Sequence, residues 1–350
     1  MVTEKEIEQQ KRAKLKREKP EVFEKVIRIE ERFKQGIPTP IIDIAYNYAC
    51  NLKCRHCTAS RFKKEGRKLT PKDLFDISNQ AHELGFCQFC LSGGEPLIFK
   101  DLDDVIMALQ PDKFHLTMST NGHFMTQEKA RHLKKLGLDK VKISLDDFDE
   151  KNHNSNRNDE GAYRKAIDAM MNAKEAGLSV VIQTVVTHQN CQTDRLFQMA
   201  EFAKANDFTI DVLIARCTGE WEGKHEVLIS EDDAEFLRKA HDKYPVLHRD
   251  TFPSYGMNKG CGAVTACLHI TQYGDVLPCV YIHIGIGNIF EESLKKIMDR
   301  CMSIKHFRNY NPKCLSGEDR NFIENYMTRF YGKKLPVPYT EVFNKDDFCD

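Results

Sequence analysis

Between residues 41 and 215 short apolar, β-branched runs alternate with longer segments of helical period. The runs are IIDIAY (41–46), FCQFCLS (86–92), FHLTMST (114–120), KVKISLD (140–146), SVVIQTVVT (179–187) and TIDVLIA (209–215). Helical segments are expected at 69–84, with Thr70 as N-cap, and at 101–110, 126–137, 161–177 and 194–207. Strands separated by a whole helix pair in parallel rather than as hairpins, and a parallel sheet is covered on its faces. The fold class is therefore α/β. A doubly wound sheet satisfies this pattern, but a partial (β/α)6 TIM-like barrel satisfies it better, because a distinctive polar segment follows each early strand at once.

Those polar segments carry the functional reading. YACNLKCRHCTAS (48–60) follows the first strand, SGGEP (92–96) the second and STNG (119–122) the third, while SLDD (144–147) ends the fourth. Loops at the carboxyl ends of parallel strands share one face and build the active site, so four chemically loaded segments meet at one mouth. The first places Cys50, Cys54 and Cys57 in a C-x3-C-x2-C array. A [4Fe–4S] cube held by protein alone takes four thiolates. Three thiolates leave one iron open to another ligand, and Lys53 and Arg55 between them soften their mutual repulsion.

This loop after a first strand, with GGEP after the second, resembles the radical S-adenosylmethionine superfamily over residues 41 to about 215. The resemblance implies that the open iron is chelated by the amino and carboxylate groups of S-adenosylmethionine. Reductive cleavage then yields a 5′-deoxyadenosyl radical that abstracts a substrate hydrogen. It implies a cofactor-binding set as well. Gly93 and Gly94 let backbone approach the methionine, Glu95 accepts from its ammonium, and Pro96 stiffens the loop. Asn121, Ser144, Asp146 and Arg157 complete the set, and a flavodoxin- or ferredoxin-type protein supplies the electron.

After residue 216 the alternation stops. A polar loop leads to a helix starting near Ser230, and CLHITQYGDVLPCVYI reads as a hairpin turning at Tyr273-Gly274-Asp275. Cys261, Cys267 and Cys279, with the distant Cys314, resemble the SPASM/twitch extensions of the same superfamily. They imply one auxiliary [4Fe–4S] cluster with four thiolate ligands; Cys301 and Cys349 are alternatives for the fourth, and zinc is the competing metal. The expected organisation is an N-terminal helical extension (1–40), the radical barrel (41–217), a linker and helix (218–260), and a small auxiliary-cluster domain of β-hairpin plus helix (261–350). In the extension, one or two helices are expected, interrupted near Pro20 and stopped by Gly36 and Pro38.

Thirteen cysteines, an odd number, argue against a disulfide framework where no export signal is seen. Cys87 and Cys90, three apart on a strand, face opposite ways and read as packed thiols; Cys191 and Cys301 read as structural. Cys217 follows the sixth strand and is expected at the mouth as a hydrogen-atom donor. The segment 219–226, holding the single tryptophan, suits a polyhydroxylated or peptidic substrate. Charges balance to zero without a basic aromatic face, which argues against nucleic acid. No apolar run reaches membrane-spanning length, and a cytoplasmic location is expected. The resulting expectation is a radical enzyme oxidising or epimerising a carbohydrate-type small molecule. A peptide- or protein-modifying radical enzyme is the alternative, and a non-enzymatic iron–sulfur electron carrier leaves the open cluster and GGEP unexplained.

Overall fold

The computed structural model describes residues 4–62, 65–249, 251–252 and 260–349, so positions 250 and 253–259 of the expected linker lie outside the described residues. The parallel strands are β1 (Ile41–Asn47), β2 (Gln88–Gly93), β3 (His115–Thr120), β4 (Lys140–Ser144), β5 (Ser179–Val186), β6 (Thr209–Ile214) and β7 (Leu247–His248). Further on come β8 (Cys267–Ile270), β9 (Asp275–Leu277), β10 (Ile284–Gly285), β11 (Gly287–Asn288) and β12 (Val337–Pro338). Ten of these form one open sheet in the order β11-β9-β8-β1-β2-β3-β4-β5-β6-β7, and β10 pairs with β12.

Three helices open the chain: α1 (Glu4–Glu18), α2 (Pro20–Ile27) and α3 (Ile29–Lys34). Pro20 begins α2 where its missing N–H costs nothing. Half-buried Lys19 ties this extension to the barrel, its Nζ donating to the Phe114 and Gly137 carbonyls at 3.1 and 3.0 Å. The crossover helices are α4 (Pro71–Glu83), α5 (Leu102–Ala108), α6 (Gln127–Lys135), α7 (Glu150–Arg157), α8 (Ala162–Glu175) and α9 (Arg195–Asn206), followed by α10 (Glu231–Lys243). Thr70 and Ser230 cap α4 and α10 through reciprocal bonds with Asp73 and Asp233. The sequence reading missed α7, whose polar composition hides a helical period. Asp149 starts it by accepting from the Asn152 N–H at 2.9 Å, and Asn158 ends it at a φ of 53°.

The strands alternate more than their apolar look suggests. Ile42, Ile44, Leu116, Met118, Val141, Ile143, Ile182 and Ile210 are all 2% exposed or less and share one cluster with helix residues such as Ala166, Ala169 and Leu196. Each such burial contributes roughly 1.5–3 kcal/mol. The intervening positions carry polar groups on the opposite face: Asp43 on β1, Ser92 on β2, Lys142 on β4 and Asp211 on β6. There Lys142 Nζ donates to Asp211 at 2.8 Å, and Ser92 Oγ donates to Asp43 at 2.5 Å. Cys87 and Cys90 obey the same alternation. Cys87 packs beside Ile29 of α3, whereas Cys90 Sγ lies 3.6 Å from Ser119 Oγ.

The C-terminal hairpin joins this sheet. β8 lies parallel to β1, with Ile42 opposite Leu268 and Asp43 opposite His269. The apolar pair continues the core, and His269 Nδ1 sits 2.7 Å from Asp43 Oδ1 on the other face. β9 returns antiparallel through a turn in which Gly274 adopts a φ of 79°. Among the described residues no helix is long and apolar enough to cross a membrane.

Leu268, fully buried at the joint, couples stability to the second cysteine set through its neighbour Cys267. Leu268→Ala should lower stability by about 2–5 kcal/mol in denaturant unfolding and lower iron content after reconstitution.

Candidate active site

The site begins where β1 and β2 end. Beyond the last strand pair, the Gly94 N–H donates to the Asn47 carbonyl at 2.8 Å and the Glu95 N–H to the Ala49 carbonyl at 2.9 Å. This close approach requires glycine. A Cβ on Gly94 would sit 1.9 Å from the Ala49 carbonyl oxygen, and one on Gly93, already at a φ of 109°, 2.5 Å from that of Asn47. The GGEP loop is thereby fastened against the segment that leads into Cys50.

Glu95 is 1% exposed. Its Oε1 accepts from Thr120 Oγ1 at 2.7 Å and the Leu97 N–H at 3.0 Å, and its Oε2 from the Asn121 N–H at 2.7 Å. Burial raises its pKa and these three donors oppose the rise. The sequence predicts a ligand acceptor here. In the structure the carboxylate chiefly ties the loop to the end of β3, leaving one of its roughly four acceptor positions for a ligand. Asn121 reaches the other way, its side-chain amide donating to Asn51 Oδ1 at 2.9 Å within the cysteine loop. Pro96 opens the one-turn helix Pro96–Ile98.

The cysteine loop is held from its far side by α7. The Arg55 N–H donates to the Asn156 carbonyl at 3.1 Å, and Arg157 Nη1 lies 3.8 Å from Cys54 Sγ. Arg157 Nη2 also donates to Asp146 Oδ1 at 2.8 Å, both side chains being buried. Burial alone would raise the Asp146 pKa, but Arg157, with His56 and His153, overrides it and brings it to about 2. Asp146 Oδ2 is buried and has no hydrogen-bond partner. His153 Nδ1 accepts from the Asp146 N–H at 3.1 Å, which fixes a neutral tautomer, and burial lowers its pKa to about 4.

A cavity of about 640 Å³ opens between these loops. Cys50, Cys54, Cys57, Gly93, Gly94, Glu95, Asn121, Ser144 and Arg157 line it, so the sequence-predicted cofactor set converges apart from Pro96 and Asp146. Asp146 acts on it through Arg157. His56, Gln183, Arg216 and Tyr281 also line it and were missed from sequence. The rule that found the others, position just past a strand end, applies equally to Arg216. His56 stands 5.7 Å from the Trp221 ring, and Gly219, at a φ of 63°, packs its backbone onto the Cys57 carbonyl.

Cys217 requires a correction. Its neighbours Arg216 and Thr218 line the cavity, but Cys217 does not; it is fully buried behind the wall. Its Sγ donates to the Lys224 carbonyl at 3.4 Å, and burial pushes its pKa up to about 11. The extended backbone past β6 alternates sides, which turns this thiol away from the mouth expected for it.

The second cysteine set stands as two thiol pairs. The free thiols of Cys261 and Cys314 are hydrogen-bonded, as are those of Cys267 and Cys279, and these contacts together with burial raise the pKa of Cys261 and Cys279 strongly. The Leu315 N–H and Arg216 Nη2 each point a donor at this set, 3.5 Å from Cys261 Sγ and Cys314 Sγ respectively. Among the described residues no three His, Cys, Asp or Glu side chains close on a single ion. Thiols in pairs, met by N–H and guanidinium donors, fit a multi-iron cluster that needs thiolates and donors to its sulfurs. Three thiols beside a glycine-lined cavity fit a cluster with one open corner.

Two family models match the chain, one described as the Radical SAM superfamily over residues 44–200 and one as an iron–sulfur cluster-binding domain over 261–317. The AdoMet-dependent heme synthase of Nitratidesulfovibrio vulgaris is 23% identical over 315 residues, covering 80% of this chain and 85% of that protein. Mycofactocin maturase MftC of Mycolicibacterium smegmatis is 29% identical over 291 residues, covering 76% and 72%. Among solved structures, SuiB of Streptococcus suis bound to S-adenosylmethionine superposes with a TM-score of 0.59 at 21% identity, covering 77% of this chain and 68% of that one. The structure of anSMEcpe with bound AdoMet and Cp18Cys peptide gives 0.56 at 19%, covering 82% and 96%. These two share the fold. Both cysteine sets lie inside the matched regions: the chain carries a radical SAM family domain over residues 44–200, followed by a SPASM iron–sulfur cluster-binding domain over 261–317.

Proposed function

We propose that this enzyme uses the 5′-deoxyadenosyl radical to oxidise a C–H bond of a peptide-borne substrate, with a single auxiliary cluster at Cys261, Cys267, Cys279 and Cys314 taking the surplus electron. Cys50, Cys54 and Cys57 would hold the first cluster, which would supply the electron for reductive cleavage of the cofactor's sulfonium. Cys261, Cys267, Cys279 and Cys314 would hold the cluster that accepts the second electron, so that a substrate losing a hydrogen atom and then a proton would be oxidised by two electrons overall.

The observation that carries oxidation is the shared wall. Arg216 and Tyr281 line the cavity, and Arg216 touches Cys314 on its other side. Epimerisation would need a hydrogen donor, and among the described lining residues the thiols are those of the first set alone. A peptide is favoured by the maturase among the relatives and by the peptide-bound neighbours. A carbohydrate-type substrate is the second reading, supported by Trp221 with Glu220 at the mouth, an aromatic face beside a carboxylate. The electron source is a flavodoxin- or ferredoxin-type donor.

Reconstituted protein should hold about eight irons per chain, falling to about four in a Cys267→Ala, Cys279→Ala variant. On reduction it should convert S-adenosylmethionine to 5′-deoxyadenosine; intact clusters without that product would sink the radical reading. With substrate, mass spectrometry should show loss of two hydrogens, and an unchanged mass with inverted configuration would mean epimerisation. Cys217→Ala should leave 5′-deoxyadenosine formation and product unchanged while lowering the melting temperature by about 2–4 °C. Gly94→Ala, whose new methyl meets the Ala49 carbonyl, should retain iron yet form 5′-deoxyadenosine about 100-fold more slowly.

A further inference from the structure

The oxidation proposed above needs an electron to leave the cavity for the second cysteine set, and one side chain stands on both sides of that boundary. Arg216 is 3% exposed and lines the cavity just past β6. Its Nη1 donates to the Ile214 carbonyl, and its Nη2 donates to Cys314 Sγ at 3.5 Å. The guanidinium lies 4.3 Å from the centroid of the Tyr281 ring, which lines the same cavity. Through its backbone N–H, Tyr281 in turn donates to Cys279. The stacked pair therefore forms a partition that faces substrate space on one side and two thiols on the other.

We infer that Arg216 is a positioning residue for electron transfer, raising the reduction potential of the auxiliary cluster by a fixed positive charge and a hydrogen bond to Cys314. Reduction adds negative charge to a cluster, and net charge together with hydrogen bonds to sulfur sets its potential. The nearby carboxylate works against Arg216 only weakly. Glu318 accepts from the Cys314 N–H at 2.9 Å, but Arg249 holds it at 2.6 Å and offsets its charge. Ser316 Oγ, 3.5 Å from Cys314 Sγ, is a neutral neighbour. A residue that merely filled the wall would leave the potential unchanged when replaced by an isosteric apolar side chain.

The inference rests on the two-cluster reading, and potentiometric titration followed by electron paramagnetic resonance separates the two. In Arg216→Met the auxiliary midpoint should fall by at least about 59 mV, a tenfold change in the oxidised-to-reduced ratio for one electron. The first cluster's midpoint should stay in place. Arg216→Lys, which restores the charge, should recover more than half of the shift. If Arg216→Met fails to assemble the auxiliary cluster, Arg216→Gln keeps a donor and drops the charge, and its midpoint decides. An auxiliary midpoint unchanged in the uncharged variants, or a parallel shift of both clusters, would overturn the inference. A single cluster signal in the wild-type protein would retire the two-cluster reading and the inference with it.

Discussion

Everything in the site depends on the contact between two loops that leave adjacent parallel strands. The backbone of Gly94 and Glu95 bonds to the carbonyls of Asn47 and Ala49, so the β1–β2 ladder is prolonged past the sheet into the mouth. No side chain fits between the two loops at Gly94. The cysteine loop therefore inherits the rigidity of the sheet on one side. On the other it is held by α7, through the Asn156 carbonyl and Arg157. A loop that must present three thiolates to one cluster needs this clamping, because each thiolate repels the others and only fixed neighbours offset that cost.

The charges around the cavity follow the same logic. Arg157 and Arg216 are both buried, and each divides its donors between a cysteine sulfur and an oxygen. Arg157 serves Cys54 and the Asp146 carboxylate; Arg216 serves Cys314 and the Ile214 carbonyl. Buried guanidinium groups are tolerated where their planar forks find acceptors, and thiolates gain most from a positive charge that water does not screen. Each cysteine set thus has one arginine reaching it from a strand end or a crossover helix. The barrel supplies the electrostatics for the second set as well as for the first.

Most of the fold was legible because the strand–helix alternation is strong and the capping residues are conventional, as at Thr70 and Ser230. The first cluster loop and GGEP were legible because spacing and chain order suffice to place them. What escaped had a physical reason in each case. Helix α7 carries no apolar stripe, so its only signal was the Asp149 cap. Cys217 has the right sequence neighbourhood, but alternation along extended backbone turned it inward, and a one-residue offset decides between wall and core. Glu95 lines the cavity as its loop suggests; what the sequence did not show is that Thr120 and the Asn121 N–H also engage its carboxylate, which depends on β3 ending beside β2. Arg216 was overlooked because a single arginine after a strand carries no signature until its two faces are seen.

The hairpin that carries Cys267 makes the two halves of the chemistry one mechanical object. β8 extends the sheet from β1, and β1 leads directly into Cys50. Cys267 and Cys50 are therefore attached to neighbouring strands of a single hydrogen-bonded ladder rather than to bodies joined by a flexible linker. The proposed electron transfer between cavity and auxiliary cluster would depend on a separation that thermal motion would otherwise vary, and a shared sheet is a stiff way to fix it. The His269–Asp43–Ser92 chain reinforces the joint across β8, β1 and β2 on the cavity side, where a purely apolar seam would lack directional bonds. The segment after β6 is irregular by contrast, with Gly219 and Gly223 at left-handed φ values of 63° and 77° around Trp221. The two cysteine sets are tied to the ladder, and Thr218, Glu220 and Trp221 line the cavity from a short loop after β6.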